Sequence, residues 1–324
     1  MIRVSNEATD TRNPKMKTPK TLIEAVRVFS DVDLCNEYMV RIKWADGKIT
    51  CPKCGACGDR IGKIETRKML RCKDCRKQFS YKVGTIFEDS ALGLDNWFVA
   101  VWCITSCKNG ISSYELHRAL GVTQKSAWFM LHRIRLAMQE GSFQKMSGTV
   151  ESDETSIGGK AKNMHKEAKA RKITGRGAVG KAVVHGILER GGKVVAQVVK
   201  DQKRKSLQPE IRKAVDPGAT VYTDALKSYE GVEDAYAHEM IDPAKEYVRG
   251  DCHTNSMDNF WVLLKRCING TYIAVMPWQL SRYVDEQVSR VNDRHLSDSE
   301  RFDAVMARAV GRRITYRELC ETAG

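Results

Sequence analysis

Three aspartates, far apart along the 324-residue chain, are the residues whose types and settings could do chemistry together. Asp153 follows an extended run, Asp224 ends the predicted strand 221–223, and Asp258 lies on a predicted helix. Acids at the ends of two neighbouring strands and on a helix can converge on two divalent cations, and carboxylates suit Mg²⁺ or Mn²⁺. Such a pair of ions supports phosphoryl transfer. The alternative for Asp153 and Asp224 is a local role, as caps of a turn or a helix.

The predicted helix around Asp258 has one polar and one apolar side. Residues three, four and seven positions apart share a helical face, so Asp258 and Lys265 lie on the same side. The apolar side is formed by Phe260, Trp261, Leu264 and Ile268. A carboxylate and an ammonium on one face fit either a surface ion pair or a metal ligand beside a phosphate contact.

Two Cys-x-x-Cys pairs, Cys51/Cys54 and Cys72/Cys75, are separated by seventeen residues. Zinc takes four thiolates in a tetrahedron, and each pair presents two of them from one turn. The spacing lies in the range of structural zinc sites, so the pattern predicts a zinc ribbon. A site with four cysteines has no open position for catalysis. Cys57 leaves one alternative open, in which it replaces Cys54.

The segment after the cysteines reads as amphipathic helices. A short helix from Ser113, a break at Gly121 and a second helix capped by Thr123 resemble a helix-turn-helix, whose second helix enters the major groove. Gln124 and Lys125 at its start are therefore candidate DNA contacts. Further along this helix, the residues expected to hold DNA backbone are His132, Arg133 and Arg135. The alternative is a plain three-helix bundle.

The net charge of +14 and the pI of about 9.3 favour a polyanionic partner, with nucleic acid first and a membrane surface second. No apolar run is long enough to span a membrane. Residues 1–20 read as a disordered basic tail without the apolar core of a signal peptide. We therefore expect a cytoplasmic, nucleoid-associated protein whose cysteines are reduced. The segment 160–181, with eight Lys or Arg and one acid, is expected to be a flexible loop along DNA backbone.

The chain resembles prokaryotic insertion-sequence transposases of the DDE type with an N-terminal zinc ribbon, the ISXO-two-like group. The resemblance covers nearly all of residues 20–295 and rests on several blocks in the family's order. They are Cys51-Pro-Lys-Cys54-Gly55; Cys72-Lys-Asp-Cys75 with Phe79-Ser80; Gly84-Thr85-Ile86-Phe87-Glu88; Val150-Glu151-Ser152-Asp153-Glu154-Thr155 with Gly158-Gly159-Lys160; Tyr222-Thr223-Asp224 with Tyr229; and His253-Thr254-Asn255 through Lys265-Arg266 to Gly270-Thr271-Tyr272.

The resemblance implies an α/β fold, with a ribonuclease H-like catalytic core preceded by a zinc ribbon and a helical, helix-turn-helix-like region. It also implies Mg²⁺-dependent cleavage and strand transfer at transposon ends, by a homo-oligomer on double-stranded DNA. Asp153, Asp224 and Asp258 would hold two Mg²⁺ or Mn²⁺ ions, and Lys265 and Arg266 would contact DNA. The residues expected beside this site are Glu154, His253 and Asn255.

Six segments follow from these patterns. They are a disordered basic tail (1–20), N-terminal helices (21–48), the zinc ribbon (49–90), the helix-turn-helix-like region (91–140), the catalytic domain (147–295) and a C-terminal helical tail (296–324).

The third acid departs from the family's pattern. The family's block usually reads His-Thr-Asn-x-x-Glu-Gly-Phe-Trp, whereas Asp258 stands at the Glu position. Because Asp is one methylene shorter than Glu, we expect a looser or shifted metal site and reduced activity. Two alternatives therefore stay open: a zinc-ribbon DNA-binding regulator with a weakened or inactive core, and a stand-alone nuclease or resolvase.

Overall fold

The computed structural model describes residues 19–141, 144–159, 165–167, 180–241, 250–273 and 275–321. The predictions of a disordered tail and of a basic loop over 160–181 fall almost wholly outside these residues. No helix in the described part of the chain is long and apolar enough to cross a membrane.

The N-terminal part combines helices with a small ribbon. The helices are α1 (Leu22–Phe29), α2 (Val32–Lys43), α3 (Leu94–Ser106), α4 (Ser113–Leu120) and α5 (Gln124–Met138), and the antiparallel ribbon is β1 (Ile61–Ile64), β2 (Met69–Cys72) and β3 (Gln78–Phe79). Ser112 and Glu115 form a reciprocal capping box at the start of α4. Gly121 ends α4 in the left-handed region at φ 66°, and Thr123 caps α5, as the sequence predicts.

The end of the chain completes the N-terminal core. Helix α9 (Asp298–Arg308) returns to the N-terminal helices and is followed by α10 (Tyr316–Glu321). The ring of Phe302 stacks on Phe29 at 5.0 Å and lies 5.7 Å from Phe98. The predicted helical tail therefore contains a helix, and its apolar side chains belong to the hydrophobic core of α1 and α3.

A five-stranded mixed sheet forms the centre of the second part. Its strands are β4 (Thr149–Ile157), β5 (Ala182–Glu189), β6 (Val194–Val199), β7 (Thr220–Asp224) and β8 (Ala237–Ile241), in the order β6-β5-β4-β7-β8. The pairs β4–β5 and β5–β6 are antiparallel, whereas β4–β7 and β7–β8 are parallel. The sequence predicts the first four strands but not β8.

Helices cover both faces of this sheet. Helix α6 (Arg204–Ala214) packs on one face, and α7 (Asn255–Arg266) and α8 (Leu280–Asn292) pack on the other. Side chains alternate between the two faces along each strand. In β5, Ile187 therefore joins the core under α6, whereas Val184, an odd number of positions away, joins the core under α7. A short π-helical segment, Cys267–Tyr272, continues α7.

Buried charges join α5 to α8. Arg135 donates to Glu286 at 2.6 Å, both side chains are 1% exposed, and the Arg135 guanidinium lies 4.1 Å from the ring centre of Tyr283. Arg290 also donates to Glu286 at 2.6 Å. The hydroxyl of Tyr272 donates to Glu286 as well. These donors offset the cost of removing the carboxylate from water, and they lower the pKa of Glu286 although burial acts in the opposite direction.

This packing corrects one prediction about DNA backbone contacts. His132, Arg133 and Arg135 are 0%, 3% and 1% exposed, so their side chains lie in the interior. Arg133 donates to the carbonyls of Glu88 and Ile314 rather than facing solvent. These residues face α3 and α8. Apolar positions occur on several sides of α5, so more than one side of the helix packs against its neighbours.

The buried ring of His132 predicts a dependence of stability on pH. It lies between Trp128 and Tyr283, and burial, with Arg135 nearby, lowers its pKa to about 2. The unfolded chain binds a proton at a pKa of about 6.5, so acidification below that value favours unfolding. We expect His132→Phe to remove about 1.4 kcal/mol of the stability lost between about pH 7.5 and pH 5.5.

The measurement is urea unfolding of both proteins at the two pH values. Buried carboxyls with raised pKa values act in the opposite direction, so the difference between variant and parent is the informative quantity. His295→Phe, at an exposed position, is the control and should unfold with the parent's pH dependence. Equal pH dependence of the parent and His132→Phe would show that His132 is protonated in the folded protein.

Candidate active site and zinc centre

Asp153 and Asp224 lie at the same edge of the sheet. The parallel strands β4 and β7 pair in register up to Glu151 opposite Tyr222. Asp153 and Asp224 each follow two residues later, and side chains two apart in a strand point to the same face. Asp153 is directly opposite Gly186 of β5. The two acids are therefore neighbours across adjacent strands, but Asp153 lies in the middle of β4 rather than at the predicted strand end, because β4 continues its pairing with β5 as far as Ile157.

Glu151 fixes the start of helix α7 against β4. Its carboxylate accepts hydrogen bonds from the backbone N–H groups of Ser256, at 2.9 Å, and Met257, at 3.1 Å. It also accepts from Arg190 Nε at 2.8 Å and is 0% exposed. A carboxylate at a helix N-terminus satisfies free N–H donors and interacts favourably with the helix dipole. Glu151 thus sets where Asp258, in the first turn of α7, lies relative to β4.

The sequence does not predict this role of Glu151, which stands there only as part of the motif around Asp153. A signal was present, because Glu151 is two residues before Asp153 and so shares its face of the strand. A carboxylate in the middle of a buried strand needs partners, since its charge is costly to bury alone.

Gly186 lets α7 approach the sheet closely enough to contact Asp153. A side chain at Gly186 would begin 2.3 Å from Met257 Cε and 2.8 Å from the Trp261 ring. The indole of Trp261 crosses this space and donates its N–H to Asp153 Oδ2 at 2.7 Å. One of the apolar residues predicted on α7 therefore orients the first candidate acid.

Burial raises the pKa of all three aspartates. Burial raises the pKa of Asp153 to about 6, and the charges of Asp224 and Asp258 add to this effect although the bond from Trp261 opposes it. Burial also raises the pKa of Asp224 and of Asp258, and Lys265 partly offsets the rise at Asp258. A site where carboxylates gather without a matching cation among their side chains favours a bound cation.

Glu154 belongs to the same group of charges from the opposite face of β4. Tyr229 donates to it at 2.6 Å and Gln202 at 3.2 Å. Burial, followed by the charges of Asp224 and Asp153, raises its pKa to about 7. Both oxygens of Glu154 are held by these donors, which fits the expected place beside the site.

The three aspartates do not form a closed ligand group in this arrangement. Among the described residues, the only set of three or more potential ligands within 4.8 Å of one another is the set of four cysteines. Asp258 is exposed on α7, as are Lys265 and Arg266. His253 lies at the start of α7, where its Nδ1 is 2.9 Å from Arg190 Nη2 and 3.4 Å from Glu151.

The two candidate DNA contacts on α5 differ in their surroundings. Gln124 donates to Ser113 Oγ at 2.8 Å and so spans the turn between α4 and α5. Lys125 is exposed, with its ammonium 4.9 Å from the ring centre of Tyr316 in α10.

The four predicted zinc ligands converge at the end of the ribbon. The Sγ atoms of Cys51 and Cys75 are 3.7 Å apart, and those of Cys54 and Cys72 are 3.5 Å apart. Thiolates about 2.3 Å from a tetrahedral zinc are separated by roughly 3.8 Å, so this arrangement fits the ion. Cys57 is outside the group.

Both Cys-x-x-Cys turns have the same backbone geometry. The residue after each second cysteine has a positive φ, at 75° for Gly55 and 59° for Arg76. Gly55 N–H donates to the Cys51 carbonyl at 3.0 Å, which closes the first turn. The left-handed residue lets each turn point two thiolates to one side.

Comparisons with known proteins match two segments of the chain. The ISXO2-like transposase domain matches residues 145–292, which contain all three aspartates. The transposase zinc-ribbon domain matches residues 31–78, which contain the four cysteines. The chain belongs to the ISXO2-like family of insertion-sequence transposases with a zinc ribbon.

Two relatives are also described in connection with transposition. A protein of Halobacterium salinarum described as an uncharacterized protein in transposable element ISH50 is 28% identical over 255 residues, which cover 75% of this chain and 85% of that protein. An uncharacterized transposase-like protein of Haemophilus influenzae is 32% identical over 75 residues, which cover 23% of this chain and 61% of that protein.

The zinc centre predicts different outcomes for two neighbouring exposed cysteines. We expect Cys54→Ser to lose the metal, because one of four thiolates is removed, and to lower the melting temperature of the protein. Cys57→Ser should keep the parent's zinc content and melting temperature. The measurement is zinc per chain by mass spectrometry after dialysis, together with thermal unfolding. Zinc retained by Cys54→Ser and lost from Cys57→Ser would establish the alternative ligand set.

The close approach at Gly186 predicts a strong effect of one methyl group. Gly186→Ala should lower the free energy of unfolding by about 1–3 kcal/mol, because Met257 and Trp261 must shift. It should also change the fluorescence of Trp261, whose hydrogen bond to Asp153 would be lost. Gly62→Ala, in strand β1 where the nearest atom is 3.9 Å away, is the matched control and should change neither quantity. Unchanged stability of Gly186→Ala would mean that α7 is not seated against β5.

Proposed function

We propose that this transposase binds insertion-sequence ends and performs metal-dependent DNA cleavage and strand transfer at Asp153, Asp224 and Asp258. The observation that supports the proposal is that Asp153 and Asp224 lie on adjacent parallel strands, with the charges of Asp224 and Asp258 acting on the carboxyl of Asp153. The match of the transposase domain over the same segment supports it.

The sheet supports a ribonuclease H-like core. Three consecutive antiparallel strands are followed by two parallel strands, and helices cover both faces. In this arrangement, Asp153 lies in the middle of β4, and Asp224 is the last residue of its parallel neighbour β7. A helix lying across the antiparallel strands then brings a third acid to the same edge.

The donor set fits hard divalent cations. Carboxylates are preferred ligands of Mg²⁺ and Mn²⁺. Burial raises the pKa of all three acids, and neighbouring carboxylates add to the rise at Asp153 and Asp258, so a cation would stabilise the ionised forms. Two such ions, when bound, would activate the attacking oxygen and stabilise the leaving oxygen. Asp153, Asp224 and Asp258 would hold them. The side chain of Asp258 is exposed on its helix and free to turn toward the other two acids.

The remaining residues position these acids and the DNA. Trp261 holds one oxygen of Asp153, leaving the second oxygen of that carboxylate for a ligand. Glu151 keeps α7 in place, so Asp258 cannot move away with its helix. Lys265, two turns beyond Asp258, would bind phosphate next to the cleaved bond. Water attacks the phosphodiester, the bond between phosphorus and the 3′ oxygen breaks, and this oxygen leaves as a 3′-hydroxyl after taking up a proton. The 3′-hydroxyl then attacks a phosphodiester of the target DNA and loses its proton, while the bond from that phosphorus to the target's own 3′ oxygen breaks and the released oxygen is protonated.

DNA binding by other parts of the chain completes the proposal. The ribbon segment from Arg60 to Lys82 holds nine basic and two acidic residues, which favours contact with phosphates. Lys125 and Gln124 at the start of α5, and Lys265 and Arg266 on α7, are the proposed DNA contacts. Two transposon ends must be cut together, so we propose a homo-oligomer on DNA.

One observation favours a second candidate, a DNA-binding regulator with a weakened core. Asp258 is shorter than the residue usual in the family, and the three carboxylates lie too far apart to form one closed ligand group in the described arrangement. The two candidates differ in a single property, which is cleavage that depends on Mg²⁺.

The aspartates therefore predict a specific loss of cleavage. Asp153→Asn and Asp224→Asn should each reduce Mg²⁺-dependent cleavage of a DNA substrate carrying the element's ends by at least about a hundredfold, while DNA binding is kept. Asp258→Glu should equal or exceed the parent's rate, because the longer side chain reaches closer to the other acids. The measurement is strand cleavage and strand transfer resolved on denaturing gels, with and without Mg²⁺.

Asp234→Asn is the matched control. Asp234 forms an exposed ion pair with Arg212 at 2.9 Å, outside the two strands and the helix that carry the three acids, and should retain the parent's rate. Undiminished cleavage by Asp153→Asn would exclude the proposed site. Sequence-specific binding by the parent and by Asp258→Glu, with no cleavage by either, would establish the regulator instead.

A further inference from the structure

A cleft of 760 Å³ lies on the far side of α7 from the sheet edge that carries the acids. Its walls come from the end of α3, the turn between β5 and β6, and helices α7 and α8. This volume is within the range of about 300–1,000 Å³ that holds small ligands. Neither the candidate active site nor the zinc centre uses it.

The lining combines cationic, amide and apolar groups. The cationic side chains are Lys108, Arg290, Arg294 and Arg301, and the one acid is Glu189. The amides of Asn255 and Asn259 lie on the α7 side. The apolar part of the wall includes Leu188, Val194, Phe260, Leu263 and Val291. Apolar surface next to amides and several cations matches a ligand that has a flat ring with polar edges and a negative group.

One buried donor in the wall has no partner. Arg290 Nη2 donates to Glu286 at 2.6 Å and to the Ile104 carbonyl at 3.2 Å, and the side chain is 11% exposed. Its Nε–H has no hydrogen-bond partner within the described part of the chain. A buried donor that is left unpaired is costly, so this position favours an additional acceptor in the cleft after a small shift of the side chain.

The position of the cleft on α7 links it to the acids. Asn259 follows Asp258 by one residue and is therefore displaced by about 100° around the helix, and Leu263 is displaced by about 140°. Asn255, Asp258 and Asn259 are all exposed. A nucleic acid strand that crosses the exposed side of α7 would thus have the acid group on one flank and the cleft on the other.

We propose that this cleft binds a single unpaired nucleotide, which leaves the base stack of the DNA close to the cleaved phosphate. The base packs on the apolar wall, the amides of Asn255 and Asn259 bond its edge, and Lys108 and Arg294 face its phosphate. The binding of a nucleotide rests on the proposed function in taking DNA as the substrate, and its position near the cleaved phosphate rests on cleavage at the acid group. Extruding a base costs unstacking energy, and this cost is lowest where the base is already unpaired.

The test compares two DNA duplexes that differ by one nucleotide. Both have the same sequence, and one carries a single unpaired 2-aminopurine nucleotide in one strand. The full-length, zinc-loaded protein should bind this duplex at least about fivefold more tightly than the fully paired duplex, because no base pair must be opened. The fluorescence of 2-aminopurine should rise on binding as the base leaves the stack.

Filling the cleft should abolish the preference. Leu263→Trp places a larger ring in the cleft without changing charge, so its affinities for the two duplexes should become equal while its affinity for paired DNA stays at the parent's value. Leu22→Trp makes the same replacement at a position that is 52% exposed on α1, and should keep the preference. Asn259→Ala, at an exposed position, tests the same cleft without a bulky residue and should reduce the preference by about threefold or more.

The outcomes separate this inference from the proposed function. Equal binding of the two duplexes by the parent protein, or a preference unchanged in both Leu263→Trp and Asn259→Ala, overturns the nucleotide site. If cleavage still depends on Asp153 in that case, the proposed function stands without it. Failure of the parent to bind either duplex would instead overturn DNA as the substrate, and both proposals with it.

Discussion

The acid group depends on one buried carboxylate that is not itself a candidate ligand. Glu151 accepts hydrogen bonds from two backbone N–H groups at the start of α7 and from Arg190, with no exposure to solvent. It belongs to the same strand as Asp153, while Asp258 belongs to the helix that it caps. The distance between the first and third acids is therefore set by an electrostatic contact between a strand and a helix end. Breaking a buried contact of this kind typically costs about 3–5 kcal/mol.

Two further residues, Gly186 and Trp261, also determine how α7 lies against the sheet. Gly186 removes a side chain from the surface on which α7 rests, and Trp261 fills the resulting space and bonds to Asp153. One residue permits the helix to approach, one fixes its end, and one transmits its position to a carboxylate. All three lie within the segment matched by the transposase domain. The arrangement explains why an apolar helix face can determine the geometry of a polar site.

Much of this could be predicted from the sequence, for reasons that differ by element. The cysteine spacing determined the zinc centre because thiolate geometry leaves few options, and the caps at Ser112 and Thr123 marked the starts of α4 and α5. Strand β8 was missed because its exposed, polar residues show little of the apolar pattern of the other strands. The burial of His132 and Arg135 was missed because charge alone favours exposure. Their partners, such as Glu286, are far away in the sequence. The assignment of Asp153, Asp224 and Asp258 as catalytic residues is a prediction from the sequence, and the geometry supports it.

Helix α9 has a consequence for how this protein is made. The stacking of Phe302 on Phe29 joins residues near opposite ends of the chain, and Val305 and Met306 lie in the same core. Contacts between such distant positions cannot form while the intervening segment is still being translated, so domains that need them fold late. The helices α1 and α3 therefore cannot complete their core until α9 has been synthesised. A product that ends before α9 would contain the ribbon and the sheet, yet the core around Phe29 would lack the apolar side chains that α9 supplies.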